Sequence, residues 1–202
     1  MPFRVSSNIH PNEGSFDTMI QQLSAKISHS SFLHAVIAIA LGVACMTGSA
    51  AYADASEPEL ISTHYDWSAY TFEENGNKVC YMASIPRKAQ GDYTKRGEIY
   101  ALITHRPAED TKDVFSYITG YDYKENSDVT VKIGSKEFTL FTQDDTAWAP
   151  DSETDSELAE AIKKGSTMIV KGVSTRGTKT TDTFSLKGSS AAYKAISKKC
   201  DM

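Results

Sequence analysis

Two cysteines constrain this chain more than any other feature. Of the three in the sequence, Cys45 falls in an N-terminal segment with the marks of a leader, which leaves Cys80 and Cys200 in the body of the chain. Thiols in a chain bound for an oxidising compartment form and keep disulfides. A Cys80–Cys200 bond would staple an early strand to the end of the chain. The competing reading, two free or catalytic thiols, lacks the close CxxC spacing that redox chemistry uses. Residues 165–200, which end on the second cysteine, read as a strand, a tight turn, a second strand and a short helix.

The leader reading rests on residues 32–46, an apolar run of about fifteen residues, the length of a signal-peptide core and short for a bilayer span. Ala51-Tyr52-Ala53 then places small residues where a signal peptidase reads. Cleavage is expected between Ala53 and Asp54, with translation starting at Met19 so that Lys26 stands just ahead of the core. A lipoprotein reading through Cys45 fails on spacing, because Leu41 sits one position too far from the cysteine. An uncleaved anchor fits the run's length less well.

Processing would leave 149 residues. That is enough for one domain, residues 54–202, since a chain of ~150 residues buries roughly 68–70% of its unfolded surface. The leader's Arg4 and Lys26 cancel its Glu13 and Asp17, so the processed chain keeps the formal charge of −5. A mild negative charge argues against nucleic acid, which is bound by dense Lys/Arg neutralisation of phosphates.

From Asp66 onward, short apolar runs alternate with polar turns. Trp67, Tyr70 and Phe72 load a first run, the Asn-Gly turn follows, and 79–85 completes a hairpin ended by Pro86. Residues 99–104 are apolar on both faces and predict a central strand, closed by Arg106-Pro107. Residues 114–118 add another. Val129, Val131 and Ile133 alternate with Thr130 and Lys132 and pair across Gly134-Ser135 with 138–141. Thr154 to Glu157 has capping-box spacing and opens a helix that Lys163-Lys164-Gly165 ends. A last hairpin joins 167–174 to 181–186. After Gly188, Ala192, Ile196 and Cys200 share one helical face. Some eight strands and two short helices, one C-terminal, predict an all-β sandwich, with a mixed α+β sheet as the alternative.

Several ordered motifs then carry a resemblance over nearly all of the body. They are Asp66-Trp67, Val79-Cys80-Tyr81, the run Tyr100 to Pro107 (YALITHRP), Phe138 to Thr142 (FTLFT), Ala147-Trp148-Ala149, Lys164 to Met168 (KGSTM), Lys171-Gly172, Arg176-Gly177-Thr178, Thr181 to Gly188 (TDTFSLKG) and Cys200. In these the chain resembles the invasion-associated locus B family of alphaproteobacterial exported proteins. The resemblance implies a β-sandwich of immunoglobulin-like topology, a periplasmic or outer-surface location, a link to host-cell entry in some pathogens, and no accepted catalytic residues or cofactor. Members often carry a further cysteine soon after the early tryptophan. Here Tyr70 stands near that place, so a second disulfide of that kind is absent.

Apart from the family, the candidate chemistry is thin. Asp144, Asp145, Asp151, Glu153 and Asp155 cluster around Trp148 but lack the alternating spacing and glycine of a calcium loop. A solvated loop leading into a helix N-terminus is the plainer reading. His105, beside Arg106 at a strand end, could bind an anion or serve as a general base. No Gly-x-Ser-x-Gly elbow accompanies it, so a structural hydrogen bond fits better. Two distant histidines and two paired cysteines leave too few zinc ligands, and no metal is expected.

The hairpin tip holding Ser174, Thr175, Arg176, Thr178 and Lys179 is the expected surface contact, rich in hydroxyls and basic groups where a rigid scaffold displays a loop. Ordinary hairpin chemistry, with Gly177 at positive φ, is its alternative. Trp148 reads as a plug for the end of the core instead of an exposed anchor, and Trp67 as core. Two classes result: a non-enzymatic binding or envelope module whose partner is a protein or envelope component, host surfaces included, and a periplasmic hydrolase working through His105.

Overall fold

The computed structural model describes residues 56–202. The expected leader, the expected cleavage after Ala53, the expected start at Met19 and Cys45 lie outside the described residues. Eleven strands form one antiparallel sheet: β1 (Glu59–His64), β2 (Trp67–Glu74), β3 (Asn77–Ser84), β4 (Lys88–Gly91), β5 (Tyr100–Arg106), β6 (Thr111–Ile118), β7 (Val129–Ile133), β8 (Lys136–Gln143), β9 (Thr146–Trp148), β10 (Thr167–Val173) and β11 (Lys179–Ser185). Two helices, α1 (Ser152–Lys164) and α2 (Ser189–Cys200), complete it, with a short 3-10 turn at Pro107–Glu109. The spatial order is β1-β2-β3-β5-β6-β9-β8-β7-β10-β11-β4.

β8 makes the sheet fold on itself. Its first half, Lys136 to Leu140, pairs with β7, and its second half, Phe141 to Gln143, pairs with β9. The strands before and after this point become two leaves whose inner faces meet, giving an all-β, sandwich-like fold. Leaf one (β1, β2, β3, β5, β6, β9) contributes Trp67, Met82, Ile103 and Phe115 to the core; leaf two (β7, β10, β11, β4) contributes Val131, Val170 and Phe184. Trp67 is fully buried, and its indole N–H donates to the Ser185 carbonyl at 3.0 Å across the two leaves. Both helices pack on the inner side of leaf one, through Leu158 and Ile162 on α1 and Ala192 and Ile196 on α2.

Local chemistry explains the elements. Asn75 and Gly76 both take positive φ (52° and 75°), the two-residue turn that matches the twist of a tight hairpin. β5 lies between β3 and β6 and is buried on both faces, as its unbroken apolar run requires. The first helix starts earlier than its capping box predicts. Asp151 is the N-cap, its carboxylate accepting the Thr154 N–H at 2.7 Å, so Thr154 lies inside the helix and not at its cap. Gly188, at φ 96°, caps α2; a Cβ there would stand 1.8 Å from the His64 carbonyl oxygen.

Three strands exceed the eight expected: β1, β4 and β9. β1 and β4 are the two edges of the sheet and β9 has three residues. None carries an apolar alternation, because an edge or very short strand needs to bury little.

Leaf one also has an apolar outer face. Phe72, Val79, Tyr81, Ala83, Tyr100, Leu102 and Ile118 form a second buried cluster there, with Tyr70 and Ile85 packed against it. Tyr70 stacks on Tyr81 at 5.0 Å, and Phe72 meets Tyr81 edge-on at 6.0 Å.

Candidate functional site

The Cys80–Cys200 disulfide is formed, with an S–S distance of 2.05 Å. It joins the middle of β3 to the last residue of α2. Cys80 stands opposite His105 in the β3–β5 register, so the staple brings α2 directly over the candidate base.

His105 is 1% exposed and both ring nitrogens are engaged. Nδ1 accepts the backbone N–H of Asp113 at 3.1 Å, and Nε2 lies 3.1 Å from the Ser197 hydroxyl. An Nδ1 that accepts an amide proton is unprotonated, so the neutral ring carries its hydrogen on Nε2 and donates it to Ser197 Oγ. A serine nucleophile needs the reverse, with Nε2 accepting from the hydroxyl and a carboxylate receiving Nδ1–H. Burial lowers the His105 pKa, helped by Lys112 and Lys163 and opposed by Asp113. The ring is a neutral structural group with Ser197 as its acceptor.

Around it the helices are tied to β6 by polar bonds. The Tyr193 hydroxyl donates to Asp113 Oδ1 at 2.6 Å, and the Tyr193 ring meets His105 edge-on at 5.3 Å. Lys163 caps the Tyr193 ring at 4.0 Å. Asp155 turns inward from α1 and accepts the Phe115 N–H at 2.8 Å. Burial pushes its carboxyl up to about 6, with Asp113 and Asp151 adding to the rise and the Phe115 bond opposing it.

The acidic residues near Trp148 therefore diverge. Asp151 faces solvent as a helix cap with its pKa lowered by the Thr154 N–H, and Asp155 points into the fold. Among the described residues no group of three or more His, Cys, Asp or Glu side chains is placed to hold a metal ion. Trp148 does not plug the core. Cross-strand register sets it beside Ser116 and Phe141, on the outer face of leaf one, while its neighbour Ala147 takes the inward position.

A second polar knot had no place in the sequence reading. Arg96, in the connection between β4 and β5, bonds both carboxylate oxygens of Asp182 on β11, at 2.8 and 2.7 Å, and the Thr119 carbonyl at 2.7 Å. Tyr117 donates its hydroxyl to the same carboxylate. The guanidinium lies 5.0 Å from the Tyr121 ring centroid. Burial, reinforced by the Asp182 charge, holds the Tyr117 hydroxyl protonated far above its ordinary range. The one available signal was register: Asp182 alternates with the inward-facing Thr180 and Phe184, and a carboxylate at such a position requires a buried cation.

The β10–β11 tip is a compact turn. Ser174 is buried and spends its groups on the turn: its N–H donates to the Thr178 carbonyl at 3.0 Å, its hydroxyl accepts the Thr178 N–H at 3.2 Å, and its carbonyl accepts the Gly177 N–H at 2.8 Å. Thr175, Arg176 and Lys179 are exposed, and Thr178 is half-buried. The Thr175 N–H bonds the Asp122 carbonyl at 2.9 Å, which braces the tip against the preceding loop.

These features define a disulfide-stapled, sandwich-like β domain whose buried polar groups hold it together and whose exposed hairpin tip is braced from below. A protein-family model described as "Invasion associated locus B (IalB) protein" matches residues 67–197, and the chain belongs to that family. No curated protein and no solved structure matches the chain.

Proposed function

We propose that this protein is an exported, non-enzymatic binding or envelope-associated module. In this reading the leader is removed after Ala53, and one domain beginning at Asp54 works in the periplasm or at the outer surface. Membership of the invasion-associated locus B family supports an invasion-associated envelope role. Among the described residues no helix is long and apolar enough to cross a membrane. The observation that carries the non-enzymatic part is His105, the best available base, whose two nitrogens are committed within the fold and whose tautomer opposes activation of Ser197.

The contact surface is the β10–β11 tip, where Arg176, Lys179 and Thr175 project from a turn that Ser174 and Thr178 shape. Its partner is a protein or envelope component with acidic and hydroxyl-accepting groups. The test is labelling of intact cells with a membrane-impermeant biotin reagent, with osmotic-shock fractions and a periplasmic control alongside. Labelling on intact cells assigns the protein to the outside, and protection until the outer membrane opens assigns it to the periplasm. Arg176→Ala with Lys179→Ala should then reduce crosslinking to the captured partner while leaving the melting temperature unchanged. Turnover of a hydrolase substrate that is lost in His105→Ala with the fold intact would overturn the non-enzymatic reading.

A further inference from the structure

The outer face of leaf two is polar, cationic and open to solvent. One buried row crosses the first half of β8 and the four strands of this leaf: Phe138, Val131, Val170, Asp182 and Ala89. Side chains alternate along a strand, so the rows on either side of it point outward. One outward row runs Glu137, Lys132, Ile169, Thr183 and Lys88, and the other runs Thr139, Thr130, Lys171, Thr181 and Gln90. One step further along, Val173 pairs with Lys179.

Lys88, Lys132, Lys171 and Lys179 are all exposed. Glu137 stands opposite Lys132, yet among the described residues none of the four lysines forms an ion pair. In a chain of formal charge −5, these rows therefore invert the sign, with four lysines against one acid. Asp92 and Asp128 come just past β4 and just before β7, beyond the paired rows.

Three of the lysines form a line. Lys132 on β7, Lys171 on β10 and Lys179 on β11 each stand one strand over and two residues along from the one before. Ordinary strand spacing and rise put consecutive Cα atoms about 8 Å apart, a stripe of about 16 Å. It leads into the β10–β11 tip that carries Arg176. Like charges on neighbouring strands repel, so the fold itself gains nothing from this line.

We propose that the stripe binds a linear acidic polysaccharide of the producing cell's envelope. The inference rests on the contact surface assigned to the tip above and names the chemistry of its partner. Charge complementarity selects an anion, and a line of cations selects a polymer over a single small anion. The flanking hydroxyls of Thr130, Thr181 and Thr183 both donate and accept, as sugar hydroxyls require. Lysine is a compact charge with three donors on a flexible stem, which suits the variable geometry of a flexible chain. An anionic bilayer fits less well, because peripheral binding adds buried apolar side chains to the charge. The large apolar residues exposed among the described residues, Leu60, Tyr65, Phe141 and Met202, all lie outside these rows. The cell's own polysaccharide is within reach in the periplasm and at the outer surface alike, whereas a host polymer is within reach only at the latter.

The experiment is to express the full-length chain in an exporting host, purify it from the envelope fraction and measure its affinity for four probes. These are protein-free polysaccharide extracted from the producing cells, polygalacturonate, neutral dextran, and vesicles containing anionic phospholipid. The expected result is binding to the first two and not to dextran or the vesicles. Affinity should fall about ten- to twentyfold between about 50 and 200 mM salt, the loss expected when roughly three cations displace counterions from a polyanion. Lys171→Gln should weaken binding at least threefold and the Lys132→Gln, Lys171→Gln, Lys179→Gln triple should abolish it, each with an unchanged melting temperature. Lys194→Gln, an exposed lysine on α2, should bind as before. Failure to bind either acidic polymer at about 50 mM salt overturns the proposal, as does binding to vesicles alone, a triple variant that still binds, or an equal loss in Lys194→Gln. Binding to polygalacturonate without the cell's own polysaccharide overturns the assignment to the envelope polymer. If binding fails while Arg176→Ala with Lys179→Ala still reduces crosslinking to a captured partner, the polysaccharide falls and the contact at the tip stands.

Discussion

Arg96 and Asp182, 86 residues apart in sequence, meet in a doubly hydrogen-bonded ion pair whose side chains are 4% and 1% exposed. The pair joins the β4–β5 connection to β11, so it locks the end of leaf two against the entry to β5. Just beside it, the Gly97 N–H donates to the Gly120 carbonyl at 2.9 Å, a contact so close that a Cβ on Gly120 would lie 2.5 Å from the Gly97 oxygen.

Breaking one side of such a pair strands the other charge in the interior. Arg96→Ala is expected to destabilise the fold by about 3–5 kcal/mol. In a double-mutant cycle in denaturant, Arg96→Met combined with Asp182→Leu should cost clearly less than the sum of the single changes. Strict additivity would show that the two side chains act independently.

His105 should be neutral with its proton on Nε2 in the folded protein, which long-range ¹H–¹⁵N spectra of the ring can read directly. Its folded pKa is lowered from the ordinary value near 6.5, chiefly by burial. As pH falls below that value the unfolded chain takes up a proton that the folded chain resists. The stability tied to this ring is therefore present above about pH 6.5 and lost as pH falls below it. A folded-state titration above 6.5 would contradict the geometry.

Asp155 has the opposite sign. Its folded carboxyl is pushed up to about 6 from an ordinary 3.8, so the folded protein holds a proton that the unfolded chain has released. The stability it adds is fully present below about pH 4 and disappears as pH rises through 6. Asp155→Asn keeps an acceptor for the Phe115 N–H, and urea melts between pH 4 and 7 should show that part of the pH dependence flattened. An unchanged profile would locate the effect elsewhere.

Removing the staple should lower stability more than any exposed substitution. Cys80 and Cys200 are 120 residues apart, and the chain-entropy account gives about 4–5 kcal/mol for a loop of this order. Cys80→Ser and Cys200→Ser are expected to lower the melting temperature and yield alike, because each abolishes the same closure. Equal melting temperatures for oxidised and reduced protein would refute this.

Much of the architecture was legible because it depends on local signals. β7 shows its alternation in Val129, Val131 and Ile133, the β2–β3 hairpin shows its Asn75-Gly76 turn, and α2 shows Ala192, Ile196 and Cys200 at four-residue spacing. The edge strands β1 and β4 left no pattern, since a strand with one neighbour and an exposed face can hold almost any residue. The start of α1 was misplaced by one turn because Asp151 and Thr154 are both competent caps, and only the approach of the chain from β9 selects between them. At the candidate site, His105 and Cys80 were visible as single residues. Their juxtaposition was not, nor were Asp113, Tyr193 and Ser197, which are ordinary residues until α2 is laid over β5 and β6.

By itself, the sequence determined the strand-rich composition, the two helices, the cysteine pair and the family, because each is written in spacing and residue type along a continuous stretch. The folded chain decided what contacts between distant stretches decide. It turned Trp148 outward, buried Arg96 against Asp182, oriented the His105 ring so that its nitrogens serve the fold, and left leaf one apolar on both sides. The physical reason is that burial and hydrogen-bond partnership belong to pairs of surfaces, and neither surface exists until β8 folds one leaf over the other.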